Sequence, residues 1–239
     1  MIDLHSHILY GIDDGSTSIE ESIEILKKYE QIGINNIVLT PHYISDGEYK
    51  TNNKEKIKLF NILNDRKTKA NIKINLYLGN EVYACNNIIE LLEKDEIMSI
   101  NNTKYILIEF PLFCENKEEY NIIHNIVLNG YIPIIAHPER YIYVQKDISI
   151  LKEYIKLGAL LQINKDSLFN KYGKSAKKTV KKIIKKRLAT FIGTDIHSIN
   201  NKIYSNDKLK RKIIRLSSKD YYNKITYENS YKTLNDKKN

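Results

Sequence analysis

Short apolar runs of strand length recur along this chain, and almost every one ends in a histidine or a carboxylate. Composition and spacing predict strands near Ile2 to His5, Asn36 to Thr40, Ile74 to Gly79, Tyr105 to Glu109, Ile132 to Ala136, Leu160 to Ile163 and Ala189 to Gly193. Polar or amphipathic stretches long enough for helices follow them at intervals of about 27 to 38 residues, the alternation of repeated βα units around a parallel sheet. An open sheet would scatter the ionisable ends along an edge. A closed or nearly closed barrel of the TIM type collects them on one rim, so an α/β barrel is the expected architecture.

The first helix carries the clearest local signals. Ser18-Ile19-Glu20-Glu21 has the form of a capping box, after which Ile19, Ile23, Leu26 and Ile32 recur at helical spacing until Gly33. Further helices are expected over Lys54–Lys69, Asn87–Lys94, Lys117–Asn129, Ile148–Leu157, Ser175–Arg187 and Asp207–Leu216. From Ser217 the sequence is polar and tyrosine-containing without a clear period. The expectation is therefore a single barrel domain over residues 1–216 and a polar, partly disordered tail over 217–239.

A chain of 239 residues is long enough for one large α/β domain with a buried core. No apolar run approaches the roughly 18 residues that would span a bilayer, so no transmembrane segment is expected and the cytoplasm is the expected address. The only cysteines, Cys85 and Cys114, are too few for a disulfide framework or a thiolate zinc site, and both are expected to be buried as small hydrophobes. The formal charge of +9 comes largely from the run Lys171, Lys174, Lys177, Lys178, Lys181, Lys182, Lys185, Lys186 and Arg187. Such a run reads first as a solvated helix face, and no nucleic-acid partner is expected from it.

Ser6 alone separates the donors of His5-Ser6-His7, so on a strand both imidazoles point to one side and can reach one ion. His42, Glu81, Glu109, His137, Asp195 and His197 stand at or just beyond other predicted strand ends, and Asp14 follows the first strand. A buried ionisable group must be paired or hydrated, because a lone buried charge costs several kcal/mol. Metal ions meet that requirement for all nine residues at once. Nine donors exceed the needs of one ion, so two or three divalent ions are expected, with Glu81 bridging a pair. Imidazole and carboxylate donors without thiolate suit manganese, iron or zinc.

These motifs resemble the polymerase and histidinol phosphatase (PHP) superfamily, and within it the manganese-dependent protein-tyrosine phosphatases of bacterial capsule and exopolysaccharide operons. The resemblance rests on His5-Ser6-His7 with Asp13-Asp14-Gly15, Thr40-Pro41-His42, Gly79-Asn80-Glu81-Val82-Tyr83, Ile108-Glu109-Phe110-Pro111, Ile135-Ala136-His137-Pro138-Glu139-Arg140-Tyr141, and Gly193-Thr194-Asp195-Ile196-His197. It implies a distorted TIM-like (β/α)7 barrel and a trinuclear centre, most simply of Mn2+. By position, His5, His7, Glu81 and Asp195 would hold one ion, Glu81, Glu109 and His137 a second, and Asp14, His42 and His197 a third. Asp3 is a candidate for orienting an imidazole, with a purely structural carboxylate as the alternative. Arg140 matches an arginine that family members use on the phosphate. Where related phosphatases tend to have a second arginine, this chain has Lys202, which can contact phosphate only as a point charge.

The implied activity is hydrolysis of phosphotyrosine on a protein, the tail of a bacterial tyrosine kinase that regulates polysaccharide synthesis and export. Hydroxide activated by the ions would attack phosphorus in line, with Arg140 on the phosphoryl oxygens and His42 or His197 able to protonate the leaving group only when not committed to metal. The cysteine-dependent route to the same product is excluded, since the positions six residues after Cys85 and Cys114 hold Leu91 and Tyr120 instead of arginine. Alternatives that keep the barrel are a PHP phosphoesterase acting on histidinol phosphate or nucleic acid, a metal-dependent amidohydrolase, and a non-catalytic partner of a capsule-assembly complex.

Overall fold

Strand residues alternate between two apolar environments, and that alternation builds the barrel wall. In Tyr105–Glu109, Ile106 and Ile108 face outward into a core shared with the helices, whereas Leu107 joins Ile2, Leu4, Val38, Ile134, Ala136 and Phe191 in the interior. In a computed structural model, residues 1–114 and 118–237 are described. Their strands are β1 (Ile2–Asp3), β2 (Asn36–Leu39), β3 (His42–Tyr43), β4 (Asn75–Leu78), β5 (Glu81–Tyr83), β6 (Tyr105–Glu109), β7 (Ile132–Ala136), β8 (Leu160–Asn164) and β9 (Phe191–Gly193).

All ladders are parallel. β1 pairs β2 and β2 pairs β4, while the second sheet runs β3-β5-β6-β7-β8-β9. β2 is the predicted strand Asn36 to Thr40, and β3 continues its line past an interruption at Thr40-Pro41, where proline has no N–H for the ladder. β4 and β5 are likewise broken at Gly79-Asn80, and the Asn80 amide patches the gap by donating to Pro41 O at 3.0 Å. Counted this way, seven strands succeed one another around the wall.

The two ends of the wall meet through hydrogen bonds instead of a long ladder. Ser6 bridges Ile196, His7 N donates to Ile196 O at 2.9 Å and Asp195 N to His5 O at 2.9 Å. Below them the buried Asp3 carboxylate accepts from Thr194 N at 3.0 Å and Thr194 Oγ1 at 2.5 Å. Asp3 also takes the His5 N–H, at 3.2 Å, and touches no imidazole nitrogen, so it is a structural carboxylate.

The helices are α1 (Ile19–Gln31), α2 (Asn53–Lys69), α3 (Ile88–Glu93), α4 (Glu118–Leu128), α5 (Ile142–Lys146), α6 (Ile150–Lys156), α7 (Gly173–Lys185), α8 (Asn206–Leu216), α9 (Lys219–Asn223) and α10 (Asn229–Asn235). Ser18 caps α1 by accepting from Glu21 N at 3.2 Å. The Glu21 carboxylate, however, takes Thr17 N and, across the rim, Ser198 Oγ and Ile199 N, each at 3.0 Å. It therefore ties α1 to the loop that carries His197. The first residue of the expected helix at Lys117 lies outside the described residues.

Two expectations need correction. The tail after Ser217 is not disordered: α9, a π-helical turn over Lys224–Glu228 and α10 follow one another, while residues 238–239 lie outside the described residues. Ile225 packs into the outer core and Leu234 into the barrel interior, but their buried neighbours Thr226, Ser230 and Thr233 are polar, which is why no apolar period is visible. Nor are the cysteines buried: Cys85 is half-buried and Cys114, just past the turn after β6, is exposed. No described helix is long and apolar enough to cross a membrane.

Candidate metal centre

Every expected donor but one is delivered by a strand end or the residues just past it, and Asp14 comes from the loop after β1. Two of these residues leave their strands in the left-handed region, His137 at φ 32° and Asp195 at φ 53°. Such conformations are costly for residues other than glycine and recur where a side chain must be aimed. Two glycines make room for the cluster. A Cβ on Gly15 would fall 2.1 Å from His7 O, and one on Gly193 2.9 Å from the His5 Cβ.

The donors fall into three overlapping groups: His5, His7, Glu81 and Asp195; His7, Asp14, His42 and His197; and His42, Glu81 and Glu109. The first matches the expected set, and the second is the expected Asp14, His42 and His197 joined by His7. His137 also reaches the remaining group, its Nε2 lying 3.1 Å from Glu81 Oε1 and 3.5 Å from Glu109 Oε1. Glu81 stands in the middle. Its Oε2 lies 3.0 Å from His5 Nε2, 3.1 Å from His7 Nε2 and 3.2 Å from His42 Nδ1, and its Oε1 faces His137.

The groups fit cations better than they fit one another. Glu81 Oε2 and His42 Nδ1 are buried and lack any hydrogen-bond partner despite their proximity, and His5 Nε2 and His7 Nε2 face each other at 3.2 Å. Lone pairs converging without hydrogen-bond alignment are the arrangement a bound cation satisfies.

The far nitrogens of three rings are held by protein groups, which fixes which nitrogen points inward. His5 Nδ1 meets Gln162 Oε1 at 2.9 Å, His7 Nδ1 meets Asp13 Oδ2 at 2.7 Å and His197 Nδ1 meets Asp195 O at 3.1 Å. Asp13 also accepts from His42 N and Gly15 N, at 3.0 and 2.9 Å. Sequence reasoning did not identify Gln162 or Asp13 in these roles. Gln162 did carry a signal, as the one polar residue within Leu160-Leu161-Gln162-Ile163; Asp13 was masked by its neighbour Asp14.

Opposed forces set the protonation of the cluster. Burial disfavours a charged His5, but the Glu81 and Asp195 carboxylates outweigh it and hold the imidazole up to about 9. Burial pushes Glu81 and Asp195 up, and His5 with its neighbouring imidazoles draws both well below the usual carboxylate range. Burial and the Glu81 charge lift Glu109 to about 8, while burial and Arg140 drop His137 to about 4. Protons on the imidazoles thus neutralise carboxylates that divalent cations would otherwise neutralise.

Arg140 reaches the same cluster, donating to Asp195 Oδ2 at 3.0 Å with its guanidinium over the Tyr172 ring at 4.5 Å. The neighbouring Glu139 anchors this turn by accepting from Asn164 N at 2.8 Å and Ser167 Oγ at 2.6 Å, and burial raises it to about 7. Lys202 is not brought in: it is exposed, with its ammonium over the Tyr204 ring at 5.4 Å. Tyr172, whose hydroxyl lies 3.3 Å from Asp195 Oδ2, is the rim residue that sequence reasoning missed.

Comparison with known proteins agrees with this geometry. The family described as capsular polysaccharide synthesis, CpsB/CapC, matches residues 1–235. The CapC protein of Staphylococcus aureus is 39% identical over 219 residues, covering 88% of this chain and 84% of its own. A chain from the crystal structures of YwqE from Bacillus subtilis and CpsB from Streptococcus pneumoniae, described as metal-dependent tyrosine phosphatases, superposes with a TM-score of 0.93 at 30% identity, covering 100% of this chain and 96% of that one. Histidinol phosphate phosphatase from Lactococcus lactis, at 17% identity and a TM-score of 0.59 over 90% of this chain and 92% of its own, shares the fold. With histidines and carboxylates grouped to hold metal on the rim of a parallel barrel, and with the family match running nearly end to end, the chain belongs to the CpsB/CapC family of capsular polysaccharide synthesis.

Proposed function

We propose that this chain is a metal-dependent protein-tyrosine phosphatase that removes phosphate from the tyrosine-bearing tail of a bacterial tyrosine kinase in polysaccharide synthesis and export, acting in the cytoplasm. The observation that carries this reading is the placement of Arg140 beside the Glu81-centred donors, since a guanidinium next to a cation centre suits a phosphoryl dianion. The relationship to the YwqE and CpsB structures supports it.

His5, His7, Glu81 and Asp195 would hold one ion, Glu81, Glu109 and His137 a second, and Asp14, His42 and His197 a third, with Mn2+ favoured and iron or zinc compatible. When bound, the ions supply positive charge for the phosphoryl oxygens and lower the pKa of water toward 7. The chain's own residues do the rest. Arg140, held by Asp195 through Nη1 and by the Tyr172 ring, would offer its remaining N–H groups to the phosphoryl oxygens. Within the cluster His42 and His197 are the more accessible imidazoles, with side chains 13% and 26% exposed, and either would protonate a leaving phenolate only when not committed to the third ion. A phenolate, with pKa about 10, needs less protonation than an alkoxide, so neither histidine need be a strong acid. Lys202 would meet phosphate only after swinging away from Tyr204.

The test is phosphate release from a phosphotyrosine peptide, histidinol phosphate and single-stranded DNA, each with and without chelator, alongside elemental analysis of the same preparation. Chelator-sensitive release from the peptide with two or three ions per chain is the expected outcome. Turnover of histidinol phosphate or DNA alone would replace the proposed substrate.

A further inference from the structure

Helix α7 begins at the rim of the metal centre. Its N-cap is Tyr172, whose ring lies under the Arg140 guanidinium at 4.5 Å and under the Lys171 ammonium at 5.2 Å. From there the helix runs for about 20 Å and carries Lys174, Lys177, Lys178, Lys181, Lys182 and Lys185 along a groove of about 560 Å3. Lys181 and Lys185 also line an adjoining groove of about 350 Å3 with Lys212 and Arg215 of α8. Between Asp166 and Asp195 the sequence has no acidic residue, and among the described residues none of these six lysines is paired with a carboxylate within 4 Å.

Like charges at helical neighbour spacing destabilise the helix that carries them. The apolar face of α7, with Ala176, Val180, Ile183 and Ile184, is fully used in packing on the barrel, so the lysine face is what remains for a partner. Burial and the nearby Lys177, Lys181 and Arg215 hold Lys212 below the usual lysine range, a sign of concentrated positive potential.

Resting on the phosphatase reading, we propose that the lysine face of α7 docks an acidic segment adjoining the phosphotyrosine of the protein substrate. A peptide whose phosphotyrosine sits at Arg140 passes Tyr172 on leaving the mouth and meets the lysines at once. About six extended residues cover the length of the helix. A lipid surface fits less well, because α7 presents no large exposed apolar side chain among the described residues and its lysines line a concavity. Nucleic acid fits less well too, because no aromatic ring lines the lysine groove for base stacking.

The test is fluorescence anisotropy with the full metal-loaded chain and two labelled peptides bearing a non-hydrolysable phosphonate analogue of phosphotyrosine, one flanked by about six glutamates and the other by as many glutamines, with phosphate release measured separately on the phosphotyrosine counterparts. The glutamate peptide is expected to bind about tenfold tighter at low salt, with the preference shrinking at high salt. The triple variant Lys178→Glu, Lys181→Glu and Lys182→Glu should abolish the preference while turnover of p-nitrophenyl phosphate stays within about twofold. Glutamine at the same three positions should give a partial loss, and it carries the test if charge reversal unfolds the helix. Equal affinities, or a preference that survives both variants, would overturn the proposal. So would lysine-dependent binding of phosphatidylserine vesicles or an oligonucleotide without any preference between peptides. Anisotropy needs no turnover, so a chain that prefers the glutamate peptide but releases no phosphate would sink the phosphatase reading and keep the docking surface.

Discussion

The Arg140 guanidinium is held on two sides, by Asp195 Oδ2 at 3.0 Å and by the Tyr172 ring face at 4.5 Å. A planar cation fixed in this way keeps its fork aimed without a long search among rotamers. Arg140→Lys retains the charge but loses both the fork and the stacking. It should lower kcat/KM for an aryl phosphate by about 10- to 100-fold, the worth of a charge-assisted contact. Tyr172→Ala should cost about fivefold and Tyr172→Phe less, since the ring supplies the cation–π contact. Steady-state kinetics of the three variants checks the order.

Asp13 and Asp3 separate two roles that look alike in sequence. Asp13 reaches an imidazole nitrogen and Asp3 only backbone and a hydroxyl. Asp13→Asn should weaken metal binding by about 10- to 100-fold with little change in the apo melting temperature. Asp3→Asn should lower the melting temperature and leave metal affinity nearly intact. Calorimetric metal titration and thermal unfolding of the same two variants decide between these patterns.

Removing the ions should destabilise the fold as well as the activity. Cations held at a hundredfold excess over their dissociation constant add about 3 kcal/mol, and for a chain of this size chelation should lower Tm by about 5 to 10 °C. Asp195→Asn should shrink that difference, which differential scanning calorimetry reads directly.

Lys56 offers a pH dependence away from the donors. It is buried, donates to Asn80 Oδ1, and burial drops it to about 7 despite Asp95 and Glu96 nearby. Its folded pKa lies below the roughly 10.4 of an unfolded lysine, so between those values the unfolded chain binds more protons and stability rises with pH. Below pH 7 the whole penalty of a buried charge is present. Lys56→Met should therefore gain stability relative to the parent at about pH 6, by about 2 to 4 kcal/mol more than at about pH 10. Urea unfolding at the two pH values measures that difference, and a pH-independent gap would contradict it.

The sequence was informative where chemistry and period coincide. His5-Ser6-His7 and Ala136-His137 each join an apolar run to a donor, so strand, end and ligand candidate could be read together. Residues that act across the chain left weaker marks. Tyr172 is one of many tyrosines, and only the fold shows that it lies against Arg140 from a different βα unit. Leu234 is an isolated apolar residue in a polar stretch, and its burial depends on a barrel interior assembled from distant strands. The breaks within β2/β3 and β4/β5 were half visible: Pro41 announced one, whereas Asn80 patches the gap with a side chain that sequence alone does not orient.

The seam between Asp3 to His7 and Thr194 to Ile196 joins segments almost two hundred residues apart in sequence, as the Asp3–Thr194 separation of 191 shows. Loop-closure entropy places such long-range contacts among the slowest to form. A nascent chain extended only to Phe191 already carries His5, His7, His42, Glu81, Glu109 and His137, yet it lacks the carboxylate of Asp195 that faces His5 and His7. Assembly of the full donor set is thereby deferred until the wall is shut, so the complete cluster is a late product of the biogenesis of the chain.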